Sequence, residues 1–440
     1  MTFGSEASDV DFGKLAATFG TPLYVYDADA LTWQYQGLRE SLHPSLEIFF
    51  SLKSNPNVSV CAVLHALGAR AEVSSLTELL TALRAGVDPD NIIFLGPGKS
   101  RAEISACLAE GVHAIVCESF GELGRINEMA LDRGQVARVA LRVNPAFAVK
   151  GSRLTMGGRP RQFGIDEAEL LARPDLGEEY PGVRLTGIHV YMGTRILDEN
   201  VVVENTRRIL DLAERLSARI GFPLEMVDIG GGLGVAYFDG ERDLDVRALT
   251  EQLNPVIEKF HAAHPNTRMI MELGRYLSAP AGVYLAQVLY TKESMGEHFA
   301  ITDGGTHHHM AAVGTGSFVK RNFPIRLLNR PTTDATEPWQ VTGPLCTPND
   351  TLGKNVPLPA LRPGDLIGVL RSGAYGPTAS PVQFLSHGYP AEVLIWEGSA
   401  HLVRERDRPE DLLGRQRLHP ALSPEAGGRA MASDVRPAPA

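Results

Sequence analysis

Lys53 closes an apolar run in the segment IFFSLKSNPN, residues 48–57. Most lysines are solvated surface cations. One held at the end of a buried strand loses hydration, which lowers its pKa and frees a neutral amine to condense with an aldehyde. Further along, DIGGGLG (Asp228–Gly234) and ELGR (Glu272–Arg275) carry what a phosphate dianion needs. Gly231, Gly232 and Gly274 let backbone N–H groups approach closely at a helix start, and Arg275 adds a forked, permanently charged donor. Glu272 either pairs with Arg275 as a structural salt bridge or keeps a pyridine nitrogen protonated, making the ring an electron sink. An amine, a phosphate cradle and a carboxylate together fit pyridoxal 5'-phosphate.

Two further motifs stand on Gly/Pro-bounded loops: GPLCTPND with Cys346 and Thr347, and SGAYG with Tyr375. Cys61, Cys107 and Cys117 read as small buried hydrophobes, whereas Cys346 among polar turn residues is the candidate for proton delivery. The triplet His307–His309 in DGGTHHHM suggests a metal, but on a strand only His307 and His309 share a face, and no HExxH or carboxylate spacing accompanies them. We expect no metal, and assign His307 and His309 either to substrate contact or to packing.

The elements that must position these residues are legible as an alternation. Strands are predicted at Leu46–Lys53, Arg70–Ser75, Ile92–Gly96, Ala114–Glu118, Arg138–Asn144, Leu185–Gly193, Met226–Gly232 and Arg268–Arg275. Segments of helical periodicity lie between most of them, among them Ser75–Ala85, Ser119–Arg133, Asn200–Ile220 and Leu244–Ala263. This is the count and span of a (β/α)8 TIM-type barrel; a doubly wound sheet is the alternative, since periodicity does not establish closure. In a barrel the C-terminal strand ends form the active face. Lys53 then ends strand one, Glu72 lies in strand two, Arg142 ends strand five, and Tyr191, Gly193 and Thr194 end strand six, with His189 two residues before Tyr191. After Tyr276 the texture becomes short strands without long helices, so the fold class is α/β with a second, mostly β domain. Residues 1–26 are expected to contribute to that domain, 27–276 to form the barrel, 277–405 the β domain, and 406–440 a largely disordered tail.

Composition narrows the function classes. The 440 residues carry a formal charge of −10, which argues against a general nucleic-acid binder. No apolar run approaches membrane-spanning length and no leader-like segment opens the chain. Four cysteines without CxxC spacing read as reduced thiols, hence a cytoplasmic protein.

In this order the motifs resemble those of the fold-type III pyridoxal-phosphate decarboxylases, the diaminopimelate, ornithine and arginine decarboxylase family. The likeness runs from about Gly20 to about Arg404. SLKSNPN resembles the cofactor-lysine motif, DIGGGLG and ELGR the phosphate loops and the pyridine-nitrogen glutamate. GPLC and GAYG resemble motifs contributed by a second subunit, which implies a homodimer with shared active sites. The resemblance also implies Glu72, Arg142, His189 and Tyr191 as cofactor-binding residues, with Tyr191 where the family has a stacking histidine. Thr194, His307, His309, Thr347 and Tyr375 are the implied substrate-binding set. Thr347 stands where diaminopimelate and ornithine enzymes carry an acidic residue for the distal end of the substrate. With GSRLTMGGRPRQFGID and DGGTHHHM, this likens the chain to the butirosin-type L-glutamyl-[acyl-carrier-protein] decarboxylase subgroup, whose substrate end is a neutral thioester. Lys150, Arg153, Arg159 and Arg161 would then meet an acidic carrier protein or form a solvated loop. The remaining alternatives are a free amino-acid decarboxylase, a siderophore-pathway decarboxylase acting on a conjugate, and a non-catalytic regulatory homologue.

Overall fold

Short runs of Ile, Val, Phe and Leu, bounded by polar turn residues, extend as strands because branched and aromatic side chains pack well on a pleated surface. In the computed structural model, which describes residues 3, 10–147, 154–155, 158–313, 321–330 and 336–419, eight of them are β1 (Leu46–Ser51), β2 (Arg70–Val73), β3 (Ile92–Phe94), β4 (Ala114–Cys117), β5 (Ala137–Asn144), β6 (Val183–His189), β7 (Met226–Gly231) and β8 (Arg268–Leu273). Each pairs in parallel with the next, and β8 returns to β1. The sheet is a closed barrel, which removes the doubly wound alternative. Side chains of Ser75, Ser119, Asp198 and Asp245 accept backbone N–H groups at the starts of the helices Leu76–Arg84, Phe120–Leu131, Glu199–Ile220 and Val246–Ala263.

The barrel interior follows the period of two along a strand. Phe49, Ile93, Leu95, Ala114, Val116, Ala140, Met226 and Ile270 form one buried apolar cluster. Two residues beyond Phe49, Val116, Ala140, Met226 and Ile270 stand Ser51, Glu118, Arg142, Asp228 and Glu272, all buried. A dry apolar floor therefore carries a polar layer at the C-terminal end.

In the second sheet, Leu23–Asp27 lies between Gly282–Ser294, antiparallel, and Ala391–Trp396, parallel. Ile325–Leu327, Thr351–Leu358 and Ser399–Arg404 are strands that the sequence pattern did not suggest. Thr351–Leu358 contains Gly, Lys, Asn and Pro, which read as loop, but it ends the sheet, where proline is tolerated.

His307–His309 are not on a strand: residues 306–308 form a turn, so the alternation argument does not apply. All three are buried. Asp350 pins this turn by accepting from the Thr306 N–H and hydroxyl, and pins the GPLC loop by accepting from the Leu345 N–H. Of the expected tail, residues 406–419 are described and include the short helix Pro409–Leu413, while 420–440 and the residues Lys150 and Arg153 lie outside the described residues.

Burial holds the His308 and His309 imidazoles down to about 3, against an ordinary value of 6.5. The unfolded chain binds these protons below pH 6.5 and the folded chain does not, so stability falls as pH drops from 6.5 toward 3. Each histidine contributes about 1.4 kcal/mol per pH unit within that window. His309→Gln should therefore show a flatter decline in unfolding free energy between pH 7 and pH 5 than the parent chain; parallel curves would contradict this.

Candidate active site

Strand β1 ends at Ser51, and Lys53 sits two residues further, in the single turn Leu52–Ser54. That turn aims the amine across the barrel mouth. Lys53 Nζ donates to Glu72 Oε2 at 2.8 Å, and the other oxygen of Glu72 accepts from Ser74 Oγ at 2.9 Å. The Tyr191 ring centroid lies 5.9 Å from the amine. The expected lowering of the lysine pKa does not occur. Burial pulls it down, but the carboxylates of Glu72 and Glu272 outweigh burial and hold it well above the ordinary value. In the free chain Lys53 is a cation.

Ser51, Lys53, Tyr191, Thr194, Gly232, Glu272, Gly274, Arg275 and Tyr375 line one cavity. Tyr375 belongs there through its own chain, correcting its expected origin in a second subunit. Its N–H donates to Ser54 O at 2.7 Å, and Asn55 Nδ2 donates to Gly373 O at 3.0 Å, so SLKSN and SGAYG interlock. Tyr375 has φ of 55°, a left-handed backbone at which a tyrosine is uncommon.

The glycines are spatially required. A Cβ on Gly232, whose φ is +100°, would lie 2.1 Å from Gly193 O, and one on Gly274 would lie 2.8 Å from Ser54 Cβ. No helix starts at the β7 glycines, contrary to expectation; the next begins at Val246, and the short helix Arg275–Ser278 follows Gly274 instead. Arg275 is not paired with Glu272: it donates to Tyr237 OH at 3.0 Å, and its guanidinium lies 4.5 Å from the Tyr375 ring centroid.

Glu272 is buried, and neither of its oxygens has a well-aligned hydrogen-bond partner among the described residues. His189 Nε2 stands 3.3 Å from Glu272 Oε1. Burial would raise the Glu272 pKa, but His189, Lys53 and Arg142 reverse this and keep it anionic. Arg142 is itself paired with Glu118 at 2.8 Å.

Four expected site residues stand apart. Cys346 is exposed, and neither it nor Thr347 lines the cavity in its own chain. His307 packs its ring against His308 and His387, at 3.9 and 4.4 Å, and His309 bonds Ser372 Oγ at 2.8 Å. Neither lines the Lys53 cavity, which corrects their substrate-facing assignment within one chain. Glu118, Asp228 and Asp350 went unassigned in the sequence; the inward parity of the strands would have marked the first two.

Residues 29–279 match the family model of the pyridoxal-dependent decarboxylase pyridoxal-binding domain. The chain belongs to the pyridoxal-dependent decarboxylases. It is 41% identical over 406 residues to the L-glutamyl-[BtrI acyl-carrier protein] decarboxylase of Niallia circulans, covering 91% of this chain and 95% of that protein. It is 30% identical over 399 residues to the diaminopimelate decarboxylase of Aquifex aeolicus, with 90% and 92% covered. Among solved structures, diaminopimelate decarboxylase of Helicobacter pylori complexed with L-lysine superposes with a TM-score of 0.82 at 29% identity, covering 92% of this chain and 98% of that one. The cofactor is pyridoxal phosphate. The cavity fits it: one amine, a glycine-walled recess beside Arg275, and a buried carboxylate with unpartnered oxygens.

Removing the Glu72 charge tests the charge state of Lys53. Glu72→Gln should move the onset of covalent cofactor capture by the apoenzyme to lower pH by about one to three units, the range for losing a contacting opposite charge. An unchanged pH midpoint in rapid-mixing absorbance traces would show that Glu72 does not set it.

Proposed function

We propose that this decarboxylase removes the α-carboxyl group from an acidic aminoacyl unit, glutamyl, aspartyl or methylaspartyl, tethered through its side-chain carboxyl to an acyl carrier protein in natural-product biosynthesis. It acts as a cytoplasmic homodimer, with residues 27–276 as its cofactor-binding unit. The observation that carries the reading is the 41% identity across nine-tenths of the chain to a protein named for a carrier-bound glutamyl substrate. Thr347 supports it, because a neutral residue after Cys346 suits a thioester better than the charged end of a free diamino acid. Diaminopimelate decarboxylation is the second reading, favoured by relatives at 30% identity and by the shared fold.

Bound pyridoxal phosphate supplies a protonated ring able to take up the electron pair released when the α-carbon loses carbon dioxide. The chain's own residues do the rest. Glycines 231, 232 and 274 with Arg275 would hold the phosphate, and Tyr191, which lines the same cavity as Lys53, would bind the cofactor there. Glu272, anionic and with unsatisfied oxygens, holds the proton on the ring nitrogen. Lys53 must shed a proton before its amine can attack an aldehyde carbon, and Glu72 at 2.8 Å is placed to receive it. Either Lys53 or the partner subunit's Cys346 returns a proton to the α-carbon.

Incubating the holoenzyme with glutamyl- and aspartyl-loaded carrier proteins should produce loss of carbon dioxide visible by intact mass, with free glutamate, aspartate and meso-diaminopimelate untouched. Turnover of free meso-diaminopimelate with loaded carriers unchanged would overturn the substrate assignment.

A further inference from the structure

Asp228 opens the DIGGG run and is fully buried. It stands in register with His189 on β6, and the strand on its other side, β8, carries Glu272 two residues beyond its register partner Ile270. Its Oδ1 accepts the Gly230 N–H at 2.8 Å, within the glycine loop. Its Oδ2 is buried with no hydrogen-bond partner among the described residues, and the same holds for both oxygens of Glu272 and both ring nitrogens of His189. A carboxylate oxygen of Asp228, a ring nitrogen of His189 and a carboxylate oxygen of Glu272 lie within 4.8 Å of one another. Two carboxyls this close, sealed from water, cannot both be anionic. The neighbouring groups distribute the charge unequally. His189, Lys53 and Arg142 all act on Glu272, whereas burial, reinforced by Glu272 itself, drives Asp228 toward its protonated form.

We propose that Asp228 is a neutral positioning acid. Its Oδ1 anchors the glycine loop, while its Oδ2–H donates to Glu272 and fixes that carboxylate with one oxygen free for the cofactor's ring nitrogen. One side chain thereby couples the phosphate end of the cofactor site to its ring-nitrogen end. The inference rests on the assignment of Glu272 to the ring nitrogen and adds the residue that orients it. No charge on Asp228 is used, so an amide is its functional equivalent: in Asp228→Asn the carbonyl accepts from Gly230 and the NH2 donates to Glu272. Alanine supplies neither.

The test compares pyridoxal phosphate affinity, by titration of the apoenzyme, and the pH profile of the bound cofactor's absorbance. D228N should bind within about threefold of the parent with the same profile. D228A should bind about tenfold or more weakly, as expected for losing a hydrogen bond to a charged group, and its ring-nitrogen titration should shift. D228N as impaired as D228A, or both unchanged, would overturn the proposal. Infrared spectroscopy gives a readout independent of how D228A folds: the parent apoenzyme at pH 8 should show a protonated-carboxyl C=O band that D228N lacks, and a spectrum identical in the two would overturn it. Glu272→Ala separates the two levels, because unchanged affinity and profile there would refute the ring-nitrogen assignment itself.

Discussion

Everything at the active face depends on the alternation of side chains along closed, parallel strands. With eight strands joined into a ring, every inward position must be filled, and the floor is filled by Phe49, Ile93, Val116, Ala140, Met226 and Ile270. Two residues onward the same inward direction carries Ser51, Glu118, Arg142, Asp228 and Glu272. Polar groups there are separated from bulk water below by a close-packed apolar layer and face the mouth above. Slipping any strand by one residue would exchange its polar group for an outward apolar one, so register and chemistry are fixed together.

The layer is tolerable because its charges are balanced locally. Lys53 meets Glu72 and Arg142 meets Glu118, each at 2.8 Å, while Glu272 has the imidazole of His189 at 3.3 Å. Removing one partner of such a pair strands the other, which costs more than the pair contributes. Glu272 is the member whose oxygens lack aligned hydrogen bonds, and it is the group to which a pyridinium adds the missing cation. The site is thus incomplete in charge until its cofactor binds. Lys53 completes the balance differently: it is 38% exposed at its side chain, held cationic by Glu72, and becomes a nucleophile only by passing a proton on.

The barrel was readable because its strands are short apolar runs spaced by helices with Ser or Asp caps, and the observed strand bounds fall within two residues of those expected at almost every end. Lys53, Tyr191, Thr194, Gly232, Glu272, Gly274 and Arg275 were legible as a group since each ends a strand or follows one, and the structure gathers them. What escaped was long-range electrostatics: burial alone suggests a lowered lysine pKa, and the 2.8 Å approach of Glu72, nineteen residues away, together with Glu272 reverses the sign. Tyr375 and the histidine triplet were misplaced for a related reason. Their positions are set by the N–H of Tyr375 on Ser54 O and by Asp350 on Thr306, contacts between segments that no local pattern links. The edge strand Thr351–Leu358 was hidden by its own Gly and Pro.

Lys53 is the amine placed to capture the cofactor. Borohydride reduction of the holoenzyme followed by peptide mass mapping tests this directly. The pyridoxyl group should be found on the peptide containing Lys53. Its recovery on another lysine, such as Lys99, or a stable covalent adduct in Lys53→Ala, would contradict it.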